Sequence, residues 1–141
     1  MTARRASPES DLQEAAAELL DRILAPCVEW SAFPAGHVYL NAAAAAKLTR
    51  IGLKRSWPDL LILHRVLHGI ELKAGAGALS RTRLVRTRRL GRMRLVDGQR
   101  EVFPRLEAAG AKIAVCRSLD EIMAQLRAWE IPTILAAAGA A

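Results

Sequence analysis

Residues 58–73 read PDLLILHRVLHGIELK, two apolar runs of strand length, Asp59 to His64 and Leu67 to Lys73, with a short break between them. Runs of this length and spacing predict an antiparallel hairpin. If Asp59 lies opposite Glu71, opposed residue numbers sum to 130, and Asp59, Glu71 and Lys73 share parity. Side chains alternate between the faces of a strand, so all three point the same way. The start of the first strand then lies beside the end of the second, and two carboxylates meet one ammonium at one end of one sheet face.

Their neighbours are Leu and Ile, so these charges border a core. Desolvation there penalises each charge. A divalent cation would relieve the repulsion between the carboxylates, and Mg²⁺ suits one or two carboxylates with waters and phosphate oxygens filling its shell. Phosphodiester hydrolysis is the chemistry such a site supports: the metal polarises the phosphoryl oxygen and acidifies a water, while Lys73 orients that water or stabilises developing charge. The bland alternative is a solvated stripe in which Glu71 and Lys73 form a structural ion pair with Asp59.

Upstream, Ser7-Pro8-Glu9 opens a helical pattern: Ser7 caps, Pro8 suits the first position, and Glu9 and Asp11 favour the positive end. Leu12, Leu19, Leu20, Ile23 and Leu24 form its apolar stripe, which ends near Ala25 and Pro26. Cys27 to Gly36 is a connection with room for one short strand, and His37 to Leu40 is an edge-strand candidate. NAAAAAKLTRIGLKRS divides, its five consecutive Ala favouring helix and its Gly52 and basic residues a loop.

Downstream, GQREVFPRLEAAG reads as a helix stopped by Gly110, with Pro104 near its start or at a kink. KIAVCR, Lys112 to Arg117, is a buried-type strand. Ser118 caps a final helix carrying Leu119, Ile122, Leu126 and Trp129 on one face. The expected order is helix, strand, two-stranded hairpin, helix, strand, helix: a single mixed α/β domain over 1–141 with its core at about 9–132 and a frayed tail from 133.

The formal charge of +7 points to an anionic partner, and its location sharpens that reading. RTRLVRTRRLGRMR, residues 81–94, holds Arg81, Arg83, Arg86, Arg88, Arg89, Arg92 and Arg94 and no acid. These are seven of 21 basic residues, leaving 14 against 14 acidic ones, so the whole excess lies in this block. Guanidinium grips phosphate in a bidentate fork, which favours nucleic acid over an acidic protein or membrane. The block, within an insertion spanning 81–97, is either a hairpin turning at Leu90-Gly91 or a segment that orders on DNA. Either way both ends stay beside the site, as a salt-dependent clamp on the backbone. Few aromatics make stacking on an aromatic platform an unlikely principal binding mode.

Cys27 and Cys116 are too few and too far apart for a disulfide framework, and Cys116 sits in an apolar run as a small hydrophobe. With no signal-like stretch near the start and no run of membrane-spanning length, the expectation is a cytoplasmic protein. His64 and His68 are spaced as some zinc pairs are, but flank the hairpin turn without a third ligand, and read as turn or DNA-contact side chains. Trp57 reads as core cover at a strand entrance, the alternative being a wedge against a base. Trp30 and Trp129 read as packing residues.

Pro58-Asp59 followed across a hairpin by Glu71-Leu72-Lys73 resembles the signature of the PD-(D/E)XK nuclease superfamily. LTRIGLKRSWPDLLIL, then IELKAGAGALS, then GQREVFPRLEAAGAKIAVCRS, is similar to the VRR-NUC type found in phage-like and repair-associated nucleases, from about Glu9 to Pro132. The resemblance implies a restriction-endonuclease-like α-β-β-β-α-β core, Mg²⁺ or Mn²⁺ as cofactor and DNA as substrate. By position it makes Asp59 and Glu71 metal-binding acids, the Leu72 carbonyl a further ligand, Lys73 the catalytic lysine and Gln99 the glutamine facing the site. Glu9 matches the first-helix acid, with Gln13 one turn on and Glu14 and Glu18 as rivals on the same helix. The sequence departs from the pattern at Ser56, where Gly is usual, and in the Arg-rich stretch between Leu79-Ser80 and Gln99.

The expectation is therefore a metal-dependent DNA endonuclease, with flap, branched or four-way-junction DNA as candidate substrates and a homodimer as the form suited to resolving junctions. The rival is a basic DNA-binding module, or a degenerate nuclease serving as an adaptor.

Overall fold

The computed structural model describes residues 7–33, 41–86 and 91–135. In chain order the elements are α1 (Pro8–Ile23), β1 (Glu29–Ala32), α2 (Ala42–Arg50), β2 (Leu60–His64), β3 (Val66–Leu72), β4 (Arg83–Arg86), β5 (Met93–Val96), α3 (Gln99–Ala108), β6 (Lys112–Cys116) and α4 (Leu119–Ala128). One sheet runs β1-β2-β3-β6, antiparallel across its first two seams and parallel between β3 and β6. The ribbon β4-β5 is a separate sheet. The described fold is thus mixed α/β, with four helices and a mixed four-stranded sheet.

The hairpin has the register that its sequence suggests: Leu60 faces Ile70 and Ile62 faces His68, with Arg65 alone at the turn in the left-handed region, φ 63°. Leu60, Ile62, Ile70 and Leu72 therefore project to one face, where they meet Leu20 of α1 and Ile122 of α4 in a fully buried aliphatic core. Each such side chain contributes roughly 1.5–3 kcal/mol on leaving water. Alternation sends Asp59, Gly69 and Glu71 to the opposite face. There α3 packs against β6.

Local chemistry explains the helix ends. Ser7 accepts from Ser10 N–H, Asn41 from Ala44 N–H and Ser118 from Glu121 N–H, each satisfying an otherwise orphaned donor of the first turn. The five alanines form α2, and Gly52, at φ 103°, follows its end, so the helical and loop signals of that segment apply in succession. Pro104 lies well inside α3, not near its start. It cannot donate to the carbonyl of Arg100, and exposure of that turn leaves the carbonyl open to water. Of the α4 stripe, Ile122 and Leu126 are buried, whereas Leu119 stays at the exposed rim.

Two readings left open by the sequence are decided, and the start of the tail is moved. The strand before the hairpin is β1; His37 to Leu40 lie outside the described residues. The Arg-rich block forms a ribbon, pairing Arg83 with Val96 and Arg86 with Met93. Of the expected turn at Leu90-Gly91, Leu90 lies outside the described residues, as do 87–89. The tail begins later than 133, because Thr133 bridges Leu24 and Ala25 N–H donates to Pro132. Among the described residues no helix is long and apolar enough to cross a membrane.

Gly69 couples the core to the opposite face. A Cβ built on it would stand 2.6 Å from Pro58 Cγ and 2.9 Å from Ile113 Cδ1. The Pro58 ring thus lies on the bare backbone of β3, which seats Asp59 beside it. Gly69→Ala is expected to cost about 1–3 kcal/mol through overpacking, read as a fall in the urea midpoint with an unchanged slope.

Candidate active site

Asp59 precedes β2 by one residue, and its carboxylate accepts the backbone N–H of Leu72 at 2.8 Å. That bond ties the entrance of β2 to the exit of β3. The Asp59 carbonyl is also used, accepting Phe33 N–H at the end of β1. Pairing on both sides leaves the carboxylate little freedom.

Glu71 is 2% exposed. Its Oε1 accepts from Lys73 Nζ at 2.8 Å and from Gln99 Nε2 at 2.5 Å, while its buried Oε2 has no partner among the described residues. Burial, then the charge of Asp59, pushes the Glu71 carboxyl up to about 7, against the opposing pull of Lys73 and Gln99. For Lys73, burial disfavours the ammonium, but contact with Glu71, reinforced by Glu9 and Asp59, raises its pKa. The salt bridge thus secures the lysine's charge more firmly than the glutamate's.

Glu9 reaches the same cleft from the first turn of α1, with Oε1 3.9 Å from Lys73 Nζ. Of the three acids proposed on this helix it is the one that lines the cleft; Glu18 pairs instead with Arg22 on the surface, and Glu14 is exposed. Asp59, Glu71, Lys73, Gln99 and Glu9 line one open cavity of about 490 Å³. Among the described residues no group of three or more His, Cys, Asp and Glu is arranged to hold a metal ion by itself. Two carboxylates, one with an orphaned buried oxygen, fit a cation whose remaining ligands are water and substrate oxygens. The Leu72 carbonyl, expected as a further ligand, belongs to the residue whose N–H engages Asp59.

Gln99 is held by a staple that the sequence reading did not anticipate. Its Oε1 accepts from Ser80 N–H at 3.1 Å, its own N–H donates to Ser80 Oγ at 3.0 Å, and Arg100 N–H donates to the Ser80 carbonyl at 3.1 Å. Gly98 N–H adds a bond to Thr82 Oγ1. Ser80 and Thr82 therefore satisfy the first N–H groups of α3, whose cap residue Gly98 has no side chain to do so. A Cβ on Gly98 would strike the Ser80–Arg81 backbone. The available clue was a glycine immediately before a helix, with a serine where the other root of the insertion leaves.

Ser56, where a glycine was expected, is in the left-handed region at φ 65°. Its hydroxyl donates to the Asp97 carbonyl at 2.6 Å, a contact that offsets the strain of that backbone. Arg81 and Arg83 also line the cleft, whereas Arg94 lines its neighbour. Arg86 and Arg92 are exposed elsewhere on the insertion, and Arg88 and Arg89 lie outside the described residues.

The two histidines separate. His68 is buried, its ring 4.9 Å from that of Trp129, and burial lowers its pKa. It belongs to the core, because its parity matches Ile70 and Leu72, and is not a turn or DNA-contact residue. Trp30 packs on the core and donates to Asp21, while Cys116 is a buried thiol pushed up to about 11 by desolvation. No protein-family model, curated protein or solved structure matches the chain.

The raised Glu71 pKa has a thermodynamic sign. Between pH 4.5 and about 7 the folded chain retains a proton that the unfolded chain releases, so stability falls as pH rises through this window and levels off above it. Glu71→Gln should remove that slope, making the metal-free protein less pH-dependent than wild type in urea titrations from pH 4.5 to 8.

Proposed function

We propose that the chain is a metal-dependent DNA endonuclease of the VRR-NUC type, on a restriction-endonuclease-like core. The observation that carries this reading is the meeting of Asp59, Glu71, Lys73 and Gln99 in one cleft beside Arg81 and Arg83. The succession α1, β1, β2, β3, α3, β6 supports the fold assignment, with α2 and the ribbon as additions.

Asp59, Glu71 and the Leu72 carbonyl would hold Mg²⁺ or Mn²⁺. When bound, such an ion supplies Lewis-acid polarisation of the phosphodiester and activation of water. Lys73, kept charged by its carboxylate neighbours, is the donor available to a phosphate oxygen as charge develops there. Glu9 adds a second carboxylate 3.9 Å from the Lys73 ammonium, and Gln99 fixes one Glu71 oxygen and leaves the other unpaired among the described residues. Arg81 and Arg83 neutralise the backbone on either side of the scissile bond.

The test is cleavage of duplex, flap and four-way-junction DNA in Mg²⁺ or Mn²⁺, with EDTA as control. Asp59→Ala and Lys73→Ala should each lower the rate at least 100-fold, with DNA binding retained, in the range of lost electrostatic stabilisation. Undiminished cutting by both purified variants overturns the assignment. DNA binding without fragments from wild type would instead establish the adaptor reading. Symmetric paired nicks in a junction, with a dimeric molar mass in solution, would support a homodimer bearing two sites.

A further inference from the structure

Next to the catalytic cleft lies a second cavity of about 510 Å³, and the two share Arg55, Trp57 and Asp97 on their common wall. We propose that this second cavity is a subsite for an unpaired nucleotide adjoining the scissile phosphate, so that the preferred substrate carries single-stranded DNA there. The inference rests on the nuclease reading for its orientation, but its ligand chemistry stands on the second cavity itself.

Trp57 supplies the stacking surface. Its indole lies 5.3 Å from the Phe33 ring, at an interplanar angle of 32°, and it also lines both cavities. The ring is thus supported by protein and reaches the solvent space of each cleft, so that stacking a base on it orders little that is not ordered already. Every base has a π-face, which makes such a platform tolerant of sequence.

The charge of the wall selects an anion. Lys54, Arg55, Arg94 and Arg105 line the cavity against one acid, Asp97. That acid is already engaged, its carboxylate accepting from Arg105 at 2.7 Å. Lys54 and Arg94 are exposed and come from different parts of the lining, the loop before Trp57 and strand β5. An aromatic flanked by cations is the recognised arrangement for single strands, the cations following the phosphates while the ring takes a base. The cavity lies within the roughly 300–1,000 Å³ of small-ligand sites, large enough for a nucleotide and far too small for a double helix.

The test compares binding, in EDTA, of a blunt duplex and of the same duplex with a single-stranded extension at either the 3′ or the 5′ end. In wild type one extension should raise affinity about tenfold, with quenching of tryptophan fluorescence. Trp57→Ala and Lys54→Glu should each abolish that gain, read as the ratio of extended to blunt affinity within each variant, while Trp57→Phe should keep most of it. Lys54 is exposed, so Lys54→Glu tests the proposal even if Trp57→Ala unfolds. Equal affinity of wild type for blunt and extended duplexes, or a gain that survives in folded Trp57→Ala and in Lys54→Glu, overturns the subsite. The nuclease reading is judged separately: metal-dependent cutting of blunt duplex with no extension preference defeats the subsite alone. A Trp57-dependent gain in binding without cleavage of any substrate in Mg²⁺ or Mn²⁺ upholds the subsite and defeats the nuclease reading.

Discussion

A glutamate carboxylate removed from water has to be neutralised, hydrogen-bonded or given a cation, and the arrangement around Glu71 answers that requirement only in part. Lys73 and Gln99 both address Oε1, leaving Oε2 buried and without a partner among the described residues. An isolated buried carboxylate is costly, and truncating one member of such a cluster commonly costs more than the intact contacts contribute. The surrounding structure is organised to hold this group. Pro58 sits on Gly69 and positions Asp59; Asp59 holds the Leu72 N–H; and the Ser80–Gln99 staple brings the side-chain amide of α3 to the carboxylate.

The staple also explains how a seventeen-residue insertion, expected over 81–97, can interrupt the chain between two site segments without loosening the site. Ser80 and Thr82 leave on one side and Gly98 and Gln99 return on the other, joined by four hydrogen bonds across the root. Loop-closure entropy grows only slowly with length, so a paired root makes the length of what lies beyond it a minor cost. The β4-β5 ribbon can then vary its contacts with solvent while Gln99 keeps its place.

The parts of the fold legible in the sequence are those where one local rule has no competitor. Parity alone placed Asp59 and Glu71 on one face, because a one-residue slip of either strand would turn its own core pair, Leu60 and Ile62 or Ile70 and Leu72, away from the core. Ser7 and Ser118 announced their helices as caps, and the first-turn position of Glu9 brings it to Lys73. Less legible were features made by residues distant in sequence. The glycine-like conformation of Ser56 is accompanied by a hydrogen bond from its hydroxyl to the carbonyl of Asp97, forty-one positions away. His68 could be read as a turn residue until strand parity and Trp129 placed it in the core. The five alanines carried propensity without amphipathic pattern, so they specified a helix but not the face it would present.

The arginine block is where sequence and structure differ in kind. As composition it is one patch of charge, but strand alternation divides it. Arg83 and Arg94 share a ribbon face with Val85 and Val96 and line the two clefts, whereas Leu84, Met93 and Leu95 share the opposite face with Arg86 and are more than half exposed, Leu95 at the edge of the second cavity. The cutting and holding roles proposed for the two segments are consequently less separate in space than the sequence suggested. Arg81 and Arg83 belong to the cleft of Glu71, and Arg94 to the cleft beyond Trp57, so the ribbon extends the site along a path that a DNA backbone could follow from one cavity to the next. A charge block that merely raised affinity would need no such division. On the proposed nuclease reading, a ribbon rooted at Gln99, with its cations distributed between two adjoining clefts, would set where along the backbone the reacting phosphate lies.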